Sequence, residues 1–376
     1  MRQFRYKNSD CGHVERYAVV SAIFLLAFAV LTVGTATDPT LSFISSDQLL
    51  CSVDTVSSSG ALSSFGKVFS PYSLPSVFFV RGNKEDVVSS DKSPSGFYDD
   101  SHLEYLEKEE AAFAMAEVPD GALPVVKTVL NPAQGFEKIG EIYINNESGK
   151  DIECVPVPIK LVKELKEPQV LIYHTHGTEA YNPGYSFYGN DVYSPNSTDI
   201  SENVVRIGSV IAQVLENNGV EVIHLTEMFD ASGYSDAYDR SCSAVEKILE
   251  ENPSISIVLD IHRDTVIDSE GTKLRPVVQT EKGAAAQLMI LLGSGKKGAQ
   301  VPLWNENLSF ALALCSEINE IDDDILRPIM LRATRYNQHL STGAILVEVG
   351  TCGNTLSEAE RAALIFADAL ISSCFD

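Results

Sequence analysis

The sequence predicts an α/β domain with a largely parallel sheet flanked by helices, and three observations carry that prediction. Short apolar runs suited to buried strands recur at 169–173, 220–225, 256–261, 288–292, 326–331 and 344–347. Between and beyond them lie segments that read as helices, at 203–216, 237–251, 308–321 and 357–371. Finally, three of the apolar runs break into concentrated polar residues at their carboxyl ends, where open α/β sheets gather ligands and catalysis.

Each element has a local reason. The run 169–173 is almost wholly apolar, as a strand buried on both faces must be. The helix that follows carries Val204, Ile207, Ile211, Val214 and Leu215 at helical spacing and stops at Asn218-Gly219, after which 220–225 reads as the next strand. The helix 237–251 is halted by Asn252-Pro253, since proline cannot continue it, and 256–261 is the strand beyond. Strands alternating with amphipathic helices make a mostly parallel sheet covered on both faces.

This periodic part begins near residue 124 and runs to 376. Before it, residues 38–123 are rich in Ser and Asp, with patches such as Ser57-Ser58-Ser59-Gly60, and read as a linker or stalk. Residues 17–37 form an uncharged apolar run, long enough for one membrane crossing at about 20 residues. Arg2, Arg5, Lys7 and Arg16 precede that run, and Asp38, Asp47 and Asp54 follow it. The positive-inside rule therefore predicts a cytoplasmic stretch at 1–16, a single-pass signal anchor in the cell membrane, and everything after it outside the cytoplasm. A net charge of -24 argues against a nucleic-acid partner, which requires clustered Lys and Arg. The seven cysteines show no CxxC pair, and Cys154, Cys242 and Cys315 sit in apolar surroundings that predict core positions.

The chemistry concentrates at the three strand ends. The first reads Tyr173-His174-Thr175-His176-Gly177-Thr178-Glu179, where His176 and Glu179 stand three apart and can converge on one ion. The second is Asp260-Ile261-His262-Arg263-Asp264. Two imidazoles and a carboxylate, with one position left to water, are the ligand set of a catalytic rather than a structural zinc site. At the third, Glu348 ends an apolar strand, where desolvation raises a carboxyl pKa toward that of a useful general base. A His-x-x-Glu pair, a later Asp-Ile-His and a final strand-end Glu follow the chain order of a carboxypeptidase-type zinc site.

In residues 170–181, 203–219 with the strand after it, 253–264 and 335–350, the sequence resembles the stage II sporulation protein P family of endospore-forming Firmicutes. The resemblance implies a zinc amidase domain of carboxypeptidase-like fold that cleaves the N-acetylmuramoyl-L-alanine bond of peptidoglycan, and also peptide cross-links, during engulfment. It implies stage II sporulation proteins D and M as partners. It matches His176, Glu179 and His262 to zinc ligands and Glu348 to the catalytic acid/base. His174 stays the rival first ligand, because alternate strand residues share a face. Arg335 and Asn337 are candidates to bind substrate, and Arg263 and Asp264 to brace His262. His339 stands where the family pattern has an acidic residue, which leaves its role open. Two other readings compete: a zinc carboxypeptidase or endopeptidase acting on stem peptides alone, and a metal-free scaffold that binds the wall.

Overall fold

The computed structural model describes residues 122–132, 135–188, 194–281, 283–296 and 299–375. The predicted cytoplasmic stretch, the anchor and nearly all of the linker lie outside them. Among the described residues no helix is long and apolar enough to cross a membrane.

In chain order the elements are β1 (Leu123–Thr128), β2 (Glu137–Ile139), β3 (Ile142–Glu147), β4 (Val170–Tyr173), β5 (Phe187–Tyr188), α1 (Val204–Asn217), β6 (Val222–His224), α2 (Ala237–Glu251) and β7 (Ile257–Asp264). Then follow β8 (Lys273–Thr280), β9 (Gly283–Ala286), β10 (Leu288–Gly293), β11 (Gly295–Lys296), β12 (Ala299–Gln300), α3 (Trp304–Ile321), β13 (Ile329–Arg332), β14 (Ala344–Thr351) and α4 (Leu356–Cys374).

The main sheet has the order β2-β3-β13-β10-β14-β7-β4-β6. Five of its seven pairings are parallel, and two are antiparallel, β10 with β14 and β2 with β3. The sheet is therefore mixed, though mostly parallel. Its direction reverses at β10 because the chain enters that strand straight from β9 rather than through a crossover helix. A smaller sheet, β5-β1-β8-β9, was not anticipated.

Alternation along the central strands sorts their side chains between two cores. Leu259, Ile261, Val347 and Val349 join residues of α1, α3 and α4 in the larger one. Val258 and Ala344 face the other way, with Leu171, Tyr173 and Ile223, against Ala237 and Val245 of α2. By the same period of two, Asp260, His262 and Glu348 belong to the α2 face. The connection 333–343 shares that face, where Tyr336 packs on Met289, Leu291 and Leu346. Cys242 and Cys315 are buried as predicted, whereas Cys154 is only half-buried, its Sγ 2.8 Å from Ser309 Oγ.

Helix starts are specified locally. Asn203 caps α1, its side chain accepting from Val205 N at 3.0 Å. One turn on, Gly208 lets the helix pass close over the sheet, since a Cβ there would stand 2.6 Å from both His174 and His224. Thr355 and Glu358 close α4 with a reciprocal capping box. Glu358 also accepts from Arg275 of β8 at 3.0 Å, tying the smaller sheet to that helix.

Removing one partner of a buried ion pair strands the other charge. Glu358→Ala should therefore cost about 3–5 kcal/mol in denaturant unfolding. Glu141→Ala, at the exposed pair with Lys138, should leave the unfolding midpoint essentially unchanged.

Candidate active site

The site depends on β7 lying between β4 and β14, parallel to both. That register sets Tyr173 opposite Asp260 and Glu348 opposite His262, so the carboxyl ends of three strands arrive at one level. Beyond Tyr173 the chain turns tightly, with Glu179 N donating to His176 O at 3.1 Å.

Glu179 Oε2 lies 3.3 Å from His262 Nδ1 and accepts Arg263 N at 3.1 Å. On the other edge of the imidazole, His262 Nε2 is 2.9 Å from Asp260 Oδ1 but out of line for a hydrogen bond. Asp260 is fixed in turn by Thr175, whose N and Oγ1 donate to it at 2.8 and 2.7 Å. His176 stands edge-on to His262 with ring centroids 5.3 Å apart, and it stacks flat on Tyr234 at 4.1 Å. Tyr238 of α2 meets it edge-on at 5.5 Å. A cavity of about 250 Å³ lies alongside, bordered by Tyr234, Asp230, Thr178, Asn196 and Ser197.

The charges in this cluster act on one another. Burial works to lower the His262 pKa, but the carboxylates of Asp260 and Glu179 outweigh it and hold His262 well above the usual histidine range. Burial opposes ionisation of Glu179 as well, and the neighbouring His262 charge prevails, keeping that carboxyl below its ordinary value. Burial and the charge of His262 lower the pKa of His176. Glu348 goes the other way: burial, then the charge of Asp264, push it up to about 8.

Three buried polar atoms here have no hydrogen-bond partner: His176 Nδ1, His262 Nε2 and Glu348 Oε2. Orphaned ring nitrogens beside two ionised carboxylates fit a divalent cation, because surroundings that hold a proton so firmly on His262 stabilise a metal charge in its place. The donors of His176, Glu179 and His262 are nonetheless not all within 4.8 Å of one another. Among the described residues a Cys/His/carboxylate trio reaches that closeness at Cys242, Glu246 and His339.

The other predicted residues are placed as follows. His174 lies apart from the cluster: its Nδ1 is 3.0 Å from Ile261 O and its Nε2 is 2.8 Å from His224 Nε2, beneath Gly208 of α1. Burial lowers its pKa to about 4. The two histidines do not share a strand face, because β4 ends at Tyr173 and His176 sits in the turn. Arg263 and Asp264 are engaged away from His262. The Arg263 guanidinium donates to Ala180 O and Pro195 O at 3.0 and 2.6 Å, and Asp264 pairs with Arg327 at 2.8 Å. The second carboxylate beside His262, with Glu179, is Asp260, which stands two residues earlier on the same strand face. Asn337 is buried, its Nδ2 donating to Tyr238 O and Ser241 Oγ, both at 3.0 Å. Arg335 is exposed on the same connection.

Fold and cluster together define an α/β protein with a histidine–carboxylate centre at the carboxyl ends of its central parallel strands. A sequence model of stage II sporulation protein P matches residues 104–371, and the chain belongs to that family. Stage II sporulation protein P of Bacillus subtilis (strain 168) is 26% identical over 219 residues, which cover 55% of this chain and 51% of that protein. The chain thus spans about half the length of the curated relative it matches. Among solved structures, the N-acetylmuramoyl-L-alanine amidase AmiC2 of Nostoc punctiforme matches at 14% identity and a TM-score of 0.35, over 55% of this chain and 96% of that one. The CwlD amidase of Clostridioides difficile, solved with the GerS lipoprotein, matches at 12% and 0.34, over 55% and 98%. Overlap this loose bears on neither activity nor mechanism.

The raised Glu348 carboxyl links stability to pH. The folded chain keeps this proton to about pH 8, whereas the unfolded chain releases it near 4.5. The stabilisation is full below the unfolded value and is lost as pH rises through the folded one. In chelator-treated protein, Glu348→Gln should therefore gain melting temperature relative to the parent between about pH 5 and pH 8. A constant difference across that window would contradict the assignment.

Proposed function

We propose that this chain is a zinc-dependent N-acetylmuramoyl-L-alanine amidase that cuts septal peptidoglycan during engulfment, alongside stage II sporulation proteins D and M. In this reading residues 17–37 anchor it in the cell membrane and the folded part works outside the cytoplasm. The observation that carries the hydrolytic reading is the meeting of His176, Glu179, His262 and Glu348 at adjacent strand ends, with orphaned polar atoms on three of the four. Family membership supports the place in sporulation.

His176, Glu179 and His262 would hold the metal. A bound zinc ion supplies an acidified water and polarises the scissile carbonyl. Glu348 takes the proton from the attacking water and returns it to the departing amine, a task suited to a carboxyl whose pKa stands near the working pH. The cavity beside Tyr234 and Asp230 offers hydroxyl, amide and aromatic groups to the substrate. Asp260 steadies His262, and Asn337 acts indirectly by holding Tyr238 against His176.

Elemental analysis paired with muropeptide chromatography on purified sacculi tests this. The amidase reading requires peptides freed from glycan at the lactyl-alanine bond; cleavage of stem peptides alone would replace it with an endopeptidase. Glu179→Ala and His262→Ala should lose metal and hydrolysis together, as removal of a ligand leaves an incomplete site. Glu348→Gln should keep its metal while hydrolysis falls by about 10²–10⁴. His174→Ala should retain metal that His176→Ala loses. Metal loss in Glu348→Gln with retention in Glu179→Ala would mean that the carboxylates have exchanged roles.

A further inference from the structure

A second group of donors stands on the α2 face, at the seam between that helix and the connection 333–343. Cys242, Glu246 and His339 each present a ligand atom, all within 4.8 Å of one another. We propose that these three residues form a separate cation site for a borderline-soft divalent ion of the zinc class. The proposal does not depend on the hydrolytic reading.

Cys242 and Glu246 stand four residues apart on α2, so one helical face presents both. His339 comes from far along the chain, and its Nδ1 is buried without a hydrogen-bond partner. The segment that delivers it is fixed in advance. Asn337 bonds to Tyr238 and Ser241, while Gln338 donates to Leu291 O and accepts Gly293 N, both at 2.8 Å. Asn307 of α3 holds the Gln338 carbonyl at 2.8 Å. An imidazole held this way needs little reorganisation to bind.

A thiolate, an imidazole and a carboxylate make a tetrahedral set with one position left over, and the exposure of Glu246 leaves that position to solvent. Arg335 acts electrostatically on both Cys242 and His339 and opposes a cation there; the charges of Glu246 and Asp239 oppose Arg335. Binding would release the thiol proton to solvent, leaving thiolate as the ligand. The bound ion would join α2 to the connection one turn below Tyr238, the ring that meets His176 edge-on.

Sulfur distinguishes this site from the cluster of His176, Glu179 and His262, which has none. The full chain, titrated with Co2+, should develop a near-ultraviolet thiolate-to-cobalt charge-transfer band that saturates with a single ion. The band should disappear in Cys242→Ser and persist in His176→Ala. Its affinity in His339→Ala should fall by at least the roughly 10–100-fold that even an outer-shell partner is worth. Circular dichroism establishes that each variant is folded, and Glu246→Ala, at an exposed position, reads the same loss should Cys242→Ser fail to fold. No band in the parent, or an undiminished band in folded Cys242→Ser or Glu246→Ala, would overturn the proposal.

Discussion

The parallel pairing of β7 with β4 on one side and β14 on the other is the constraint on which the rest depends. Buried backbone groups must find partners, and three central strands without water on either face find them in one another. Once Tyr173 is opposite Asp260 and Glu348 is opposite His262, no strand can slip by a residue without turning its side chains to the other face. The cluster is thus positioned by the hydrogen bonds of the sheet, and the turn after β4 has only to bring Glu179 and His176 back over it.

Within that frame His262 decides the electrostatics. It stands between Glu179 and Asp260, and both carboxylates stay ionised in spite of burial because the imidazole answers them. Glu348 is across the strand pair and next to Asp264, and it carries the opposite perturbation. Titratable groups on two adjacent strands are thus driven in contrary directions.

Much of this was legible in the sequence, and what was not has physical reasons. The helices α1 and α2 and the strands β4 and β7 were found because periodicity and stop signals agreed: Asn218-Gly219 ended one helix and Asn252-Pro253 the other. The smaller sheet escaped notice because β8 holds Lys273, Arg275 and Pro276, a composition that argues against a strand even though Arg275 is neutralised by Glu358. Glu348 stands out in the sequence as the first charged residue after an apolar run, although β14 continues past it to Thr351. Asp260 does not, because nothing local says that Thr175, far off in the chain, bonds to its carboxylate. That His174 and His176 lie apart depends on where β4 stops, which the apolar run alone does not mark. The nearness of His339 to Cys242 depends on the fold of the whole 333–343 connection, which no spacing encodes.

The reversal of direction at β10 has a consequence for how the molecule can vary. Apart from the edge strand β2, which runs antiparallel to β3, the sheet consists of two blocks, β14-β7-β4-β6 pointing one way and β10-β13-β3 the other, joined along one antiparallel seam. Loops that leave the carboxyl ends of the first block build the cluster, while those leaving β10 and β13 emerge at the far end of the sheet. The connection leaving β13 nevertheless returns along the α2 face, where Asn337 bonds to the Tyr238 carbonyl and the Tyr238 ring meets His176, so the second block reaches the cluster through α2. Change at the far end of the sheet is therefore transmitted along α2, and the two ends cannot diverge independently.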